Sequence, residues 1–196
     1  MICAIVLAAG QSKRMGVQKL LLPFGGKTVI SHIVDQLIES SVDEIYVVIG
    51  CQAERISSEL SDRSVSLVNN HNYKSGMLSS VRCGLNAIPQ QCKTVLVALG
   101  DQPSITSRLI DQMLQTFAST ERQILVPLYD NKRGHPIIFS SAYRDEILTQ
   151  YDDIGLRGLL RTHKDDIFEL PVQTPGVLSD MDYPEDYQRE LQRGSQ

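Results

Sequence analysis

Between Ile2 and Phe117, short apolar runs alternate with amphipathic stripes, and this alternation limits the folds open to the chain. Residues 2–7 (ICAIVL) form a continuous apolar run rich in Ile and Val, closed by Gly10, which reads as a strand buried on both faces. Val29, Ile30, Ile33, Val34, Leu37 and Ile38 then recur at helical spacing, so 28–40 reads as an amphipathic helix. Further strands fall at Glu44–Ile49, 65–68 and Thr94–Leu99. They alternate with helices at 53–60, from Met77 to a stop at Pro89, and from 105 to 117. That order predicts an α/β protein: a mostly parallel sheet between two helix layers, Rossmann-like and three-layered.

The second half is less regular. Residues 124–126, 136–139 and 167–170 read as strands, and 142–150, 155–161 and 185–192 as helices. No Pro/Gly/Ser-rich linker separates the halves, so 1–196 reads as one domain, with a small C-terminal subregion over the sheet edge. The final RGSQ reads as a frayed end.

Composition excludes several classes of function. A net charge of −4 argues against nucleic-acid and membrane-surface binding, which need a basic excess. No run approaches the ~20 apolar residues of a membrane helix. The apolar N-terminal run has no basic residue ahead of it, unlike a signal peptide. Cys3, Cys51, Cys83 and Cys92 lack metal-ligand spacing and read as reduced thiols of a cytoplasmic protein.

In open α/β sheets, ligands bind beyond the carboxyl ends of the strands. Gly10 and Asp101 both follow strongly apolar strands, so they are expected to share one site. Around Gly10 runs LAAGQSKRMGVQK (7–19), a small-residue turn followed by cations. Small side chains at Ala8, Ala9 and Gly10 let a ligand reach backbone N–H groups. Ser12 adds a hydroxyl, and Arg14 and Lys19 add positive charge. This suits a polyphosphate, yet neither GK[ST] nor GxGxxG is present, which disfavours a P-loop kinase and a Rossmann dehydrogenase. The same residues also suit a plain turn with solvated cations. Asp101, at a strand tip in ALGDQPSI, is placed either to hold Mg²⁺ or to start the next helix.

The motif L-A-A-G-x-S-x-R-M-G-x-x-K-L-L-L resembles the signature loop of sugar-nucleotide-type nucleotidyltransferases. More narrowly, it resembles the molybdenum cofactor cytidylyltransferases and their guanylyltransferase relatives. GDQP (100–103), NHNYKSGMLSSVRCGL (70–85), RGHP (133–136), DIGLR (153–157) and SDMDYPED (179–186) continue the resemblance in order to about Tyr187. The chain departs from it at His71, where Pro is usual, at Tyr73 for Trp, at Asp152 and Leu156 for Gly and Ala, and at Tyr183 for Thr.

The resemblance implies a nucleotidyltransferase fold and a set of site residues. Leu7, Ala8, Ala9, Gly10, Ser12, Arg14, Lys19 and Gly100 would contact nucleotide, with Asn70 and Ser80 on the base side. Asp101 and Asp182 would hold Mg²⁺, with Asp180 the alternative to Asp182. Arg133, His135 and Arg157 would face the second substrate. Arg14, Lys19 and Asp101 would carry catalysis. LAAG rather than LAGG points to CTP, and the acceptor would be molybdopterin bearing molybdenum. A molybdoenzyme or its cofactor-insertion chaperone would receive the product. Other small-molecule nucleotidyltransferases and a non-catalytic nucleotide-binding module remain alternatives.

Overall fold

The computed structural model describes residues 1–194. Its main sheet is built on β1 (Ile2–Ala8), flanked by two parallel neighbours, β4 (Glu44–Ile49) and β6 (Thr94–Leu99). The order across the sheet is β10-β7-β9-β6-β1-β4-β5, with β5 at Ser66–Asn69, β7 at Ile124–Tyr129, β9 at Ile137–Ser140 and β10 at Ile167–Pro171.

Side chains of β1 alternate between two cores, as the pleat requires. Ala4, Val6 and Ala8 face a core with α1 (Val29–Ile38) and α4 (Ser107–Ser119). Cys3 and Ile5 face a second core with α3 (Met77–Ala87), α5 (Arg144–Thr149) and α6 (Arg157–Thr162). Helices thus cover both faces of a mostly parallel sheet, as the alternation predicts. Thr28 and Thr106 cap α1 and α4, their hydroxyls each accepting from a backbone N–H three residues on, at 3.3 Å. The remaining helices are α2 (Ala53–Glu59) and α7 (Pro184–Gly194).

Three features differ from the sequence reading. Residues 23–28 form a small hairpin, β2 (Pro23–Phe24) and β3 (Lys27–Thr28), in a stretch to which the sequence reading assigned no element before the helix at 28. Its turn is Gly25-Gly26, both at positive φ, which a two-residue hairpin turn requires. The later strands enter the sheet instead of lying over its edge. β9 is antiparallel to both β6 and β7, and β8 (Lys132–Arg133) folds back on β7 through Asp130 and Asn131, both left-handed. The expected frayed end begins too early. Arg193 belongs to α7 and donates to Glu190 Oε1 at 2.5 Å and Ser179 Oγ at 2.7 Å, while Ser195 and Gln196 lie outside the described residues. Among the described residues, no helix is long and apolar enough to cross a membrane.

Candidate active site

After Ala8 the chain leaves the sheet, and 9–18 form an irregular loop. A buried side chain holds it in shape. Gln18 Nε2 donates to the carbonyls of Gly10 and Cys51, both at 3.4 Å, and Gln18 Oε1 accepts from the Ser12 hydroxyl at 2.8 Å. Ser12 Oγ in turn accepts from the Lys19 backbone N–H at 3.2 Å. Ser12 therefore serves the loop's own backbone. A 3₁₀ turn, Lys19–Leu21, buries Leu20 and directs Lys19 into the cleft beyond β1 and β6.

The Lys19 ammonium sits between two carboxylates. It pairs with Asp101 and lies 3.1 Å from Asp182 Oδ1. Arg14 Nη1 meets the other oxygen of Asp182 at 2.6 Å, and its guanidinium lies 5.7 Å from the centre of the Tyr183 ring. Burial disfavours the Lys19 ammonium, but Asp101 and Asp182 outweigh it and raise its pKa. Burial likewise works against the charged form of Asp182, yet Lys19 and Arg14 hold it below the usual carboxylate range. Asp180 shifts the other way, raised first by burial and then by the Asp101 carboxylate.

These groups line a cleft of about 470 Å³, within the usual range for a small-ligand site. Of the residues expected to bind nucleotide, Leu7, Ala9, Gly10, Ser12, Arg14, Lys19 and Ser80 line it. Asp101, Asp180 and Asp182 line it too. Ala8 points into the core, and Gly100 is buried beneath, its N–H donating to the Leu7 carbonyl at 3.0 Å. Asn70 stands behind the wall: buried, it donates through Nδ2 to Ser79 Oγ and Ser80 Oγ, both at 3.0 Å. It braces the start of α3 instead of facing the cleft.

Lys74, Met77, Gln11 and Lys13 also line the cleft and were not named as site residues from sequence, and neither was Tyr73, noted there only as a departure from Trp. A Cβ at Gly50 would lie 2.8 Å from the Tyr73 Cβ and 2.9 Å from the Ala9 Cβ. Only glycine at 50 lets both Tyr73 and Ala9 approach this backbone so closely. Gln18 and Gln102 are buried polar groups near the cleft that sequence reasoning passed over. A loop glutamine carries no periodic signal, so only burial reveals it.

Of the residues expected to face a second substrate, the chain brings His135 toward Asp101 and Arg157, and neither His135 nor Arg157 lines the cleft described above. Burial pushes the His135 imidazole down to about 4, with Arg157 adding to the shift and Asp101 opposing it. Its ring is therefore neutral at pH 7. Arg157 opens α6 and is exposed. Arg133 is not brought with them. It lies on β8 and pairs with Glu169 Oε1 at 2.7 Å. Arg82 pairs with Asp152 at 2.5 Å, tying α3 to the loop before Arg157.

A cleft of paired cations and carboxylates, at the carboxyl edge of a mostly parallel sheet, defines a nucleotidyltransferase of the three-layer α/β kind. The chain belongs to the MobA-like NTP transferase domain family, whose model matches residues 4–167. The resemblance read from its motifs therefore holds, and the protein is a small-molecule nucleotidyltransferase. It is 24% identical to the molybdenum cofactor cytidylyltransferase of Escherichia coli (strain K12), over 93% of this chain and 92% of that protein. It is 29% identical to the nicotine blue oxidoreductase of Paenarthrobacter nicotinovorans, over 82% of this chain and 81% of that one. Rv0371c of Mycobacterium tuberculosis H37Rv superposes with a TM-score of 0.87 at 27% identity, each chain covered to 97%, and has also been solved with manganese.

Proposed function

We propose that this protein transfers CMP from CTP to the phosphate of molybdopterin-bound molybdenum cofactor, releasing pyrophosphate. The observation that carries the reading is the Lys19 ammonium held between Asp101 and Asp182, with Arg14 on the outer oxygen, at the foot of the 7–12 loop. Family membership does not choose the reaction alone, since one relative bears an oxidoreductase name. The charged constellation favours transfer, and the cytidylyltransferase relative, aligned over nearly the whole chain, favours CTP and this acceptor.

The donor set fits a divalent cation. Asp101 and Asp182 converge on one point, occupied by the Lys19 ammonium. Among the described residues, no cluster of three or more His, Cys, Asp or Glu could hold a metal by itself. Two carboxylates completed by phosphate oxygens and water are what Mg²⁺ accepts. Bound there, Mg²⁺ would supply charge neutralisation at the phosphates.

The chain's own groups do the rest. Lys19 and Arg14 exchange their carboxylate partners for phosphate oxygens when the triphosphate enters. An anionic phosphate oxygen of the acceptor attacks the α-phosphorus, the α–β bridging bond breaks, and pyrophosphate leaves with the bonding electrons. The nucleophile carries no proton to remove, so no general base is needed. Alignment and charge stabilisation supply the rate. Ala9 and Tyr73, both packed closely on Gly50 and both lining the cleft, narrow the base side in favour of a pyrimidine. His135 and Arg157 receive the acceptor, the neutral imidazole as a hydrogen-bonding group.

The test is pyrophosphate release with Mg²⁺ and purified molybdenum cofactor, with CTP, GTP, ATP and UTP in parallel. Release with CTP, lost in Asp101→Ala, is expected. Release with GTP alone overturns the base assignment, and no release with any nucleotide overturns the acceptor.

A further inference from the structure

The loop after β6 reads Asp101-Gln102-Pro103-Ser104, and two of its side chains reach the C-terminal segment. Gln102 is 1% exposed, yet it lies one residue from the carboxylate at the cleft's centre. Its Nε2 donates to Asp180 Oδ1 at 2.7 Å and to the Val177 carbonyl at 3.4 Å. Its Oε1 is buried without a partner among the described residues, so the amide is engaged through its donor side alone. Ser104 donates to Glu190 on α7, itself 1% exposed, and Met181 N–H donates to the Asp101 carbonyl at 3.3 Å.

Electrostatics oppose this arrangement. Asp180 interacts unfavourably with both Asp101 and Asp182, and Lys19, which pairs with those two carboxylates, offsets only part of this at Asp180. Gln102 offers a neutral donor on that side, and its bond to a carboxylate is charge-assisted and strong.

We propose that Gln102 is a positioning residue: by holding Asp180 and the Val177 carbonyl, it sets the separation of Asp101 and Asp182 and hence the divalent-cation affinity of the cleft. This rests on the reading that Asp101 and Asp182 hold a cation. Methionine matches glutamine in length and removes the partnerless Oε1 along with the donor, so Gln102→Met should keep the fold while losing some stability for the donor taken from Asp180 and the Val177 carbonyl. Outer partners of metal ligands typically contribute about 10- to 100-fold in affinity.

The experiment is a Mn²⁺ titration with and without CTP, followed by the paramagnetic resonance of the free ion. It compares wild type, Gln102→Met, Gln102→Asn and Asp101→Asn, with a melting curve for each. Both Gln102 variants should bind Mn²⁺ about 10- to 100-fold more weakly, with a single cooperative melt retained and lowered by no more than about 10 °C for Gln102→Met. Should Gln102→Met fail to fold, Gln102→Asn carries the comparison, since its shorter amide cannot reach Asp180. Weak binding in Asp101→Asn with wild-type affinity in the Gln102 variants overturns the positioning role alone. Wild type binding no Mn²⁺, or Asp101→Asn binding as wild type does, overturns the metal reading and the positioning role together.

Discussion

Replacing Lys19 with Met removes one ammonium and keeps most of the apolar stem, so its consequences can be worked out group by group. Asp182 retains Arg14 at 2.6 Å. Asp101 is only 16% exposed and loses its one ion-pair partner among the described residues. A hydrogen bond to a charged group is worth roughly 1.5–3 kcal/mol, and limited exposure leaves little of that to solvent screening. The apo protein should therefore lose about 2 kcal/mol, which in a chain of this size lowers the melting temperature by roughly 4–8 °C. Catalysis should suffer more. Losing one preorganised charge at a developing oxyanion costs about 10²–10³ in rate, or ~3–4 kcal/mol in the barrier. Metal binding should move the other way. The ammonium occupies the point where both carboxylates converge, so it competes with a divalent cation there. Lys19→Met should bind Mn²⁺ more tightly than wild type without nucleotide, even as pyrophosphate release with CTP collapses. The assays are initial rates at saturating CTP, a Mn²⁺ titration and a melting curve. A rate within a few-fold of wild type would remove Lys19 from the chemistry, and weaker Mn²⁺ binding would refute the competition.

Gly50→Ala should fold but force Tyr73 and Ala9 back from position 50, at a cost of about 1–3 kcal/mol for overpacking. Calorimetric titration should show CTP bound more weakly with Mn²⁺ affinity without nucleotide unchanged; unchanged CTP affinity would take Tyr73 out of the base wall. His135 makes stability depend on pH. Its folded value of about 4 lies below the unfolded value near 6.5, so between them the unfolded chain binds more protons. Stability should be full above about pH 6.5 and fall toward pH 4, by at most ~1.4 kcal/mol per pH unit from this group. Urea unfolding at pH 7 and 5 should show a smaller loss in His135→Gln than in wild type, and equal losses would refute the buried neutral ring.

Much of the fold is legible in the chain because period and propensity are local. The run at 2–7, the stripe at 29–38 and the strand at Thr94–Leu99 lie within a residue or two of where the pattern puts them. The 7–19 loop, which lines the cleft, stands out in the sequence because its small residues and cations are contiguous. The hairpin at 23–28 escaped although Gly25-Gly26 carries its signal, since apolar residues on both sides blend into the helix that follows. The apolar run at 137–140 shows a strand but not its direction, because an antiparallel strand buried between β6 and β7 has the same composition as a parallel one.

By itself, then, the sequence determined the layered α/β class, the loop after β1 and the family to which its motifs belong. Tertiary structure alone decided which distant groups meet. Lys19 and Asp182 are 163 positions apart, and no local pattern says that Arg14 shares that carboxylate while Arg133 turns to Glu169. Nor does any pattern mark Gln18 and Gln102 as buried. A periodic stripe is a property of neighbours along the chain. A charge centre built from a loop, a strand tip and a C-terminal segment is a property of sheet order, which exists only once the strands have paired.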